Sequence, residues 1–390
     1  MTYNFDRIVD RTHTRSYKWD QVEALFGAKD ILPLWVADMD FPSPPAVIEA
    51  IQRRAAEGIY GYTAKDDSTI AAVVEWYRRR HRWNLHPQWL LDSPGVVTSI
   101  SLAIQSFTEP GDAIILQSPV YHPFYDMIRL NGRELVKNPL ISEDSRYKMD
   151  LTLLQEQFRG GAKMLLLCNP HNPGSRVWTK TELTQLGELC LQYDVIVVSD
   201  EIHGDLTFPG HAYTPFASIS PELAKNSITL IAPTKTFNIP GIPVSFAVLP
   251  NENWRRRFAH ALKSLSLHMT HFFAPVAVEA CYREGEQWLD DLLGYLQGNV
   301  ELALTTLSET LPELKPFHLE GTYLLWLDCR ALGLNGAEMK RLMYEKAKVA
   351  FNEGSMFGQE GEGFVRINLA CPRAILREAL ERFGKAIRSQ

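Results

Sequence analysis

The stretch ITLIAPTKTFNIPG, Ile228 to Gly241, carries one lysine, Lys235, just beyond a β-branched run and inside a turn rich in Pro, Thr and Asn. A lysine at the carboxyl end of a buried strand costs free energy unless its charge is used. Two other polar clusters follow apolar runs in the same way. CNPHNPG (Cys168 to Gly174) follows MLLL, and SDEIH (Ser199 to His203) follows VIVV. Outward from these lie AIILQ (113–117), KMLLLC (163–168), VIVVS (195–199), ITLIA (228–232) and VSFAVL (244–249), with helical stretches between them. Short runs apolar on both faces predict a mostly parallel sheet with helices packed on it, an α/β fold. TKTELTQLGELCLQY (179–193) is one such helix, with Thr179 placed to cap it.

The texture changes after about residue 285. Leu289, Leu293, Leu296, Val300, Leu304, Leu307 and Leu311 recur at spacings of four and three, one stripe of a long amphipathic helix. Beyond it, TYLLWLDC and GFVRINLA have the pattern of strands and AEMKRLMYEKAK that of a helix. The expected division is an N-terminal segment (1–50) joining a smaller α+β domain (286–390), with a large domain between (51–285).

Composition narrows the function. A formal charge of -6 gives no reason to expect a nucleic-acid or polybasic membrane partner. No apolar run approaches the roughly 20 residues of a membrane span. The start, MTYNFDRIVDRTHTR, has no apolar core of a secretory signal. The five cysteines form no CxxC pair and no zinc spacing, which fits reduced thiols in the cytoplasm.

In open α/β sheets ligands bind outside the carboxyl ends of strands, so Lys235, Asn172 and Asp200 should face one crevice. Lysine, acid and amide in that layout suit pyridoxal 5'-phosphate. That cofactor needs a lysine for its aldehyde carbon, an acid beside its pyridine nitrogen and an anchor for its phosphate. Asp200 would keep the ring nitrogen protonated. Asn172 would donate to the phenolic oxygen, and Lys235, once displaced by the substrate amine, would remove the α-proton. LLDSPGVVTSISLAIQSF offers a helix start for the phosphate at the amides of Gly95, Val96 and Val97. Tyr121, in SPVYHPF, can stack on the ring; Arg366, in GFVRINLACPR, can grip a carboxylate. Each residue alone has a plainer reading, such as a solvated lysine, a helix start or a turn. Their joint occurrence at strand ends favours the site.

Tyr121, N-P-H-N-P, S-D-E-I-H, T-K-T-F-N-I-P-G and R-I-N-L-A-C-P-R together resemble the fold-type I pyridoxal-phosphate enzymes, the aspartate aminotransferase superfamily. WVADMDF (Trp35 to Phe41), K-T-F-N-I and D-E-I-H resemble its C–S lyase branch, the MalY/PatB-type cystathionine β-lyases. The resemblance implies β-elimination from a small sulfur-containing amino acid and a homodimer with sites at the interface. It implies that Tyr62, in YGYT, reaches the phosphate of the neighbouring subunit. Ala37 and Asp38 in WVADMDF then join Arg366 as substrate-binding candidates, and Thr234 and His203 join the cofactor set. Two departures from the aminotransferase pattern matter. His203 stands three residues after Asp200, where a tyrosine is usual, and Pro243 stands eight after Lys235, where a phosphate-binding arginine is common. Both look like the lyase branch. An aminotransferase of the same fold is the alternative. A second alternative is a cofactor-binding regulator of a transcription factor.

Overall fold

Seven strands in the order β1-β7-β6-β5-β4-β2-β3 form the main sheet of the computed structural model, which describes residues 3–64 and 66–389. They are β1 (Leu90–Ser93), β2 (Ala113–Leu116), β3 (Glu134–Lys137), β4 (Met164–Cys168), β5 (Ile196–Asp200), β6 (Ser227–Ile231) and β7 (Ser245–Val248). The pairs β2–β3, β2–β4, β4–β5 and β5–β6 are parallel. The apolar runs are continuous because both faces are covered. Ile114, Leu116, Met164, Leu166 and Val198 enter one core, and Ile115, Leu165, Leu167 and Val197 enter the other. This is the period-two alternation of a strand, with both phases buried.

VSFAVL becomes β7, which runs antiparallel to both β6 and β1. A parallel neighbour needs a crossover, usually through a helix. Residues 232–244 hold the lysine turn and no helix, so the chain turns straight back.

Three helices carry the sequence signals most clearly. α1 (Val96–Phe107) follows β1 directly. α2 (Lys180–Gln192) begins on a capping box: the Thr179 hydroxyl accepts from the Glu182 amide and the Glu182 carboxylate accepts from the Thr179 amide. α3 (Glu286–Thr310) is the long amphipathic helix, 25 residues. Its buried face differs from the expected stripe: Leu292 and Ala303 are buried, and Leu304 is 38% exposed. A helix advances 100° per residue, so a stripe extrapolated over six turns drifts off the packed face.

A second, antiparallel sheet has the order β8-β9-β11-β10, from β8 (Lys315–Pro316), β9 (Leu324–Asp328), β10 (Asn352–Glu353) and β11 (Phe364–Asn368). AEMKRLMYEKAK is helical over Gly336–Arg341 and continues as a π-helical turn, Leu342–Lys346. Leu32–Pro33 pairs in parallel with Val349–Ala350, which ties the N-terminal segment to the C-terminal third. No helix among the described residues is long and apolar enough to cross a membrane.

Candidate active site

A cavity of about 230 Å³ lies where β4, β5 and β6 end. Cys168 and Asp200, the last residues of β4 and β5, line it together with Lys235 from the turn after β6. Asn172, His203, Thr234, Tyr121, Ala37 and the start of α1 (Gly95, Val96, Val97) complete the sequence-derived part of its wall. Thr98, Ile202 and Pro243 also face it and were not anticipated as lining.

The charged groups here are held away from their ordinary states. Burial pushes the Asp200 carboxyl up to about 6, against the pull of the Ile202 amide and of Lys235. The Ile202 amide donates to Asp200 Oδ1 at 3.1 Å. Burial lowers Lys235 to about 8; Asp38 and Asp200 oppose that shift and Arg366 adds to it. The lysine amine donates to the Ala37 carbonyl at 2.5 Å. Burial, then Lys235 and Arg366, lower His203 to about 3, so its ring is neutral, and its Nδ1 has no hydrogen-bond partner among the described residues. Burial also drives the Cys168 thiol well up, so this cysteine is an inert wall rather than a nucleophile.

Arg366 stands one hydrogen bond behind the lining. It donates to Asn172 Oδ1 at 2.9 Å, the Trp35 carbonyl at 2.8 Å and Asn352 Oδ1 at 2.6 Å. The Asn172 contact fixes that amide: its oxygen is engaged by a cation, so its NH2 is left to donate elsewhere. Arg366 Nε is buried without a partner among the described residues, and burial lowers the guanidinium to about 10. Such a group favours an incoming anion.

Two predicted residues stand apart. The Asp38 carboxylate pairs with Arg11 at 2.8 Å and Lys18 at 3.5 Å, outside the cavity lining. Tyr62 is 96% exposed, beside a bridge between Thr63 and Thr270, and does not line this chain's own cavity. Sequence reasoning also passed over Tyr323, whose hydroxyl donates to the Ala37 carbonyl at 2.9 Å. It missed Asn238 and Asn368, which hold the backbone of Val36 to Phe41. Their one visible signal was a polar residue three after Lys235 and another two after Arg366.

These residues fit pyridoxal phosphate. Asp200 is a buried acid whose charge lacks an adequate cation, and a pyridinium N–H supplies one. Among the described residues no side chain caps α1 at Gly95, and the space where a Cβ would point is open. An unblocked helix start with open approach suits a phosphate.

Residues 29–383 match the family of class I and II aminotransferases, and the chain belongs to that family. The similarity to individual members covers nearly the whole chain. The chain is 45% identical over 385 residues to cystathionine beta-lyase PatB of Bacillus subtilis (strain 168), covering 98% of this chain and all of that one. It is 32% identical over 390 residues to protein MalY of Escherichia coli (strain K12), covering 99% of each. Among solved structures, cystalysin from Treponema denticola, which contains a pyridoxal 5'-phosphate cofactor, superposes with a TM-score of 0.96 at 37% identity over the full length of both chains.

Proposed function

We propose that this protein is a pyridoxal-phosphate-dependent carbon–sulfur β-lyase. It cleaves the Cβ–S bond of a cysteine-type amino acid such as cystathionine and yields a thiol, pyruvate and ammonia. The observation that carries the reading is the convergence of Lys235, Asp200 and the open start of α1 on one cavity, in a chain similar end to end to a cystathionine beta-lyase.

When bound, pyridoxal phosphate supplies an aldehyde carbon for the substrate amine and a ring that takes up electron density from Cα. Lys235 would hold that aldehyde carbon at rest and, once displaced, would take the Cα proton on Nζ. Asp200 holds the ring nitrogen's proton. Asn172, oriented by Arg366, turns its NH2 to the phenolic oxygen. The amides of Gly95, Val96 and Val97 and the Thr234 hydroxyl hold the phosphate, a task left to them because Pro243 stands where an arginine is common. Tyr121 and the neutral His203 line the cavity where they would hold the cofactor ring, and the Ala37 backbone and Arg366 would receive the substrate. Asp38 acts through its ion pairs, by fixing the segment that carries Ala37.

The lyase outcome, rather than transamination, is supported by His203 and Pro243, both of which depart from the aminotransferase pattern. One carboxylate grip would fix the substrate at one end and leave its Cβ–S bond free to turn. The same reading makes the protein a cytoplasmic homodimer. Ile59, Tyr60 and Tyr62 form an exposed apolar stretch suited to an interface, and Tyr62 completes the partner's phosphate site. Residues 51–285 form the cofactor-binding domain, with 1–50 and 286–390 as the smaller one.

Cofactor removal tests the proposal. The apoprotein should release no pyruvate from cystathionine, and activity should return on titration with pyridoxal phosphate. Tyr62→Phe should need more cofactor for the same recovery, and the species should sediment as a dimer. Pyruvate release indifferent to the cofactor, or none with it, contradicts the proposal. A monomer contradicts the shared site.

Arg366→Lys keeps the charge and loses the planar fork. KM should rise by about 10-fold or more, the scale of a charge-assisted hydrogen bond, while the cofactor stays bound. Unchanged kinetics, or equal loss with substrates that lack a carboxylate, would remove Arg366 from this role.

A further inference from the structure

The segment Trp35 to Phe41 belongs to no regular element, yet every carbonyl from Trp35 to Met39 accepts a hydrogen bond from a side chain. Arg366 donates to Trp35. Asn368 donates to Val36 and Asp38, both at 2.6 Å. Lys235 and Tyr323 share Ala37. Lys18 also reaches Asp38 at 3.3 Å, and Met39 receives Arg11 at 3.2 Å and Asn238 at 3.0 Å. Asn238 further donates to the Phe41 carbonyl at 2.7 Å and accepts from the Met39 amide at 2.9 Å.

The two asparagines reach the segment from different elements. Asn238 sits three residues after Lys235 in the lysine turn, with a φ of 53°. Asparagine adopts that left-handed conformation more readily than most residues. Asn368 sits two residues after Arg366 on β11, and its Oδ1 accepts from the Ala370 amide at 2.8 Å. Each is thus tied both to its own element and to the segment. The Ala37 carbonyl lies between the two that Asn368 holds, and Asn238 holds the chain just after them.

We propose that Asn238 and Asn368 are positioning residues for Lys235: they clamp Val36 to Phe41 from both sides, so that the Ala37 carbonyl is held against the lysine amine and stabilises its proton-bearing form once the substrate has displaced it. A carbonyl only accepts, so it binds the ammonium better than the neutral amine. That is the form Lys235 reaches on taking the Cα proton, so the contact strengthens as that step proceeds. The other charged groups acting on Lys235 are Asp38, Arg366 and Asp200, with neutral His203 nearby. The inference rests on the lyase reading for its catalytic meaning, but the geometry it tests exists without cofactor.

The test uses Asn238→Ala and Asn368→Ala. In the cofactor-loaded enzyme, kcat per loaded site should fall about 10-fold with little change in KM, as for a group worth one charge-assisted hydrogen bond. The isotope effect on kcat with α-deuterated substrate should grow, because proton transfer becomes slower. In the cofactor-free protein, trace acetylation of Lys235 by acetic anhydride at neutral pH, mapped by peptide mass, should quicken about three-fold or more, because the ammonium loses support. Loss of folded protein alone, with per-site kcat, isotope effect and labelling rate unchanged, would overturn the proposal. Tyr323→Phe covers the case in which the asparagine variants fail to fold. It removes the competing donor from the Ala37 carbonyl at nearly constant volume. Labelling of Lys235 should then slow; an unchanged or faster rate overturns the proposal. Labelling needs no turnover, so it decides this question even if cystathionine proves not to be a substrate.

Discussion

Lys235→Ala leaves a folded protein with turnover reduced at least 10,000-fold. Two tasks disappear together: holding the aldehyde carbon of pyridoxal phosphate and removing the Cα proton. General base catalysis alone contributes roughly 10²- to 10⁴-fold, and the covalent task adds to it. Folding should survive, because the side chain's one hydrogen bond goes to a carbonyl that also receives Tyr323. Burial of the amine is costly, as its lowering to about 8 records, so stability should hold or rise. Borohydride reduction of the wild type should bleach the visible band of bound cofactor and fix the cofactor against dialysis, with the reduced pyridoxyl group on Lys235 by peptide mapping. A reduced pyridoxyl group on another lysine, or a Lys235→Ala variant with ordinary turnover, would remove Lys235 from this role.

Asp200→Asn should separate catalysis from stability. Asparagine cannot hold the ring nitrogen as a cation, so kcat should fall about 100-fold, the ~3 kcal/mol of a hydrogen bond to a charged group. The cofactor-free protein should nonetheless gain stability. The Asp200 carboxyl rises from 3.8 when unfolded to about 6 in the fold. A raised acid destabilises the fold wherever it must ionise: no cost below pH 4, a growing cost between pH 4 and 6, and the full cost above. That cost is on the order of 2–3 kcal/mol at pH 7, from 1.36 kcal/mol per pH unit. Asparagine lacks it. The variant should therefore melt higher than wild type at pH 7, with the gain disappearing towards pH 4. Both comparisons belong to the apoprotein, because bound cofactor stabilises the wild type by mass action. Full kcat in Asp200→Asn would assign the ring nitrogen to another group, and an unchanged apoprotein stability would show that the carboxylate is better solvated than its surroundings imply.

Much of this was legible because strand ends carry local signals. MLLL, VIVV and ITLI became β4, β5 and the body of β6, and the polar residue after each run came to the shared cavity. The α1 helix start was legible from Ser93-Pro94-Gly95. What stayed hidden depends on partners distant in sequence. WVADMDF was noticed, but nothing local says that Asp38 turns to Arg11 and Lys18 while its neighbour Ala37 turns its carbonyl to Lys235. Asn368 and Asn238 lie more than 190 residues from the carbonyls they hold. Arg366 reaches Asn172 across 194 residues of chain, so the arginine expected to bind substrate also sets the flip of an amide that lines the cavity. The direction of β7 was not legible, because an apolar run has the same pattern in either orientation.

The reaction type is the claim on which the account turns, and one time course tests it. Mix a trace of cofactor-loaded enzyme with excess cystathionine and no keto acid, and follow pyruvate and free thiol. The account predicts steady formation of both over many turnovers, with the resting absorbance of the enzyme retained. A single turnover that stops with the cofactor as pyridoxamine phosphate, and restarts only when a keto acid is added, would contradict it.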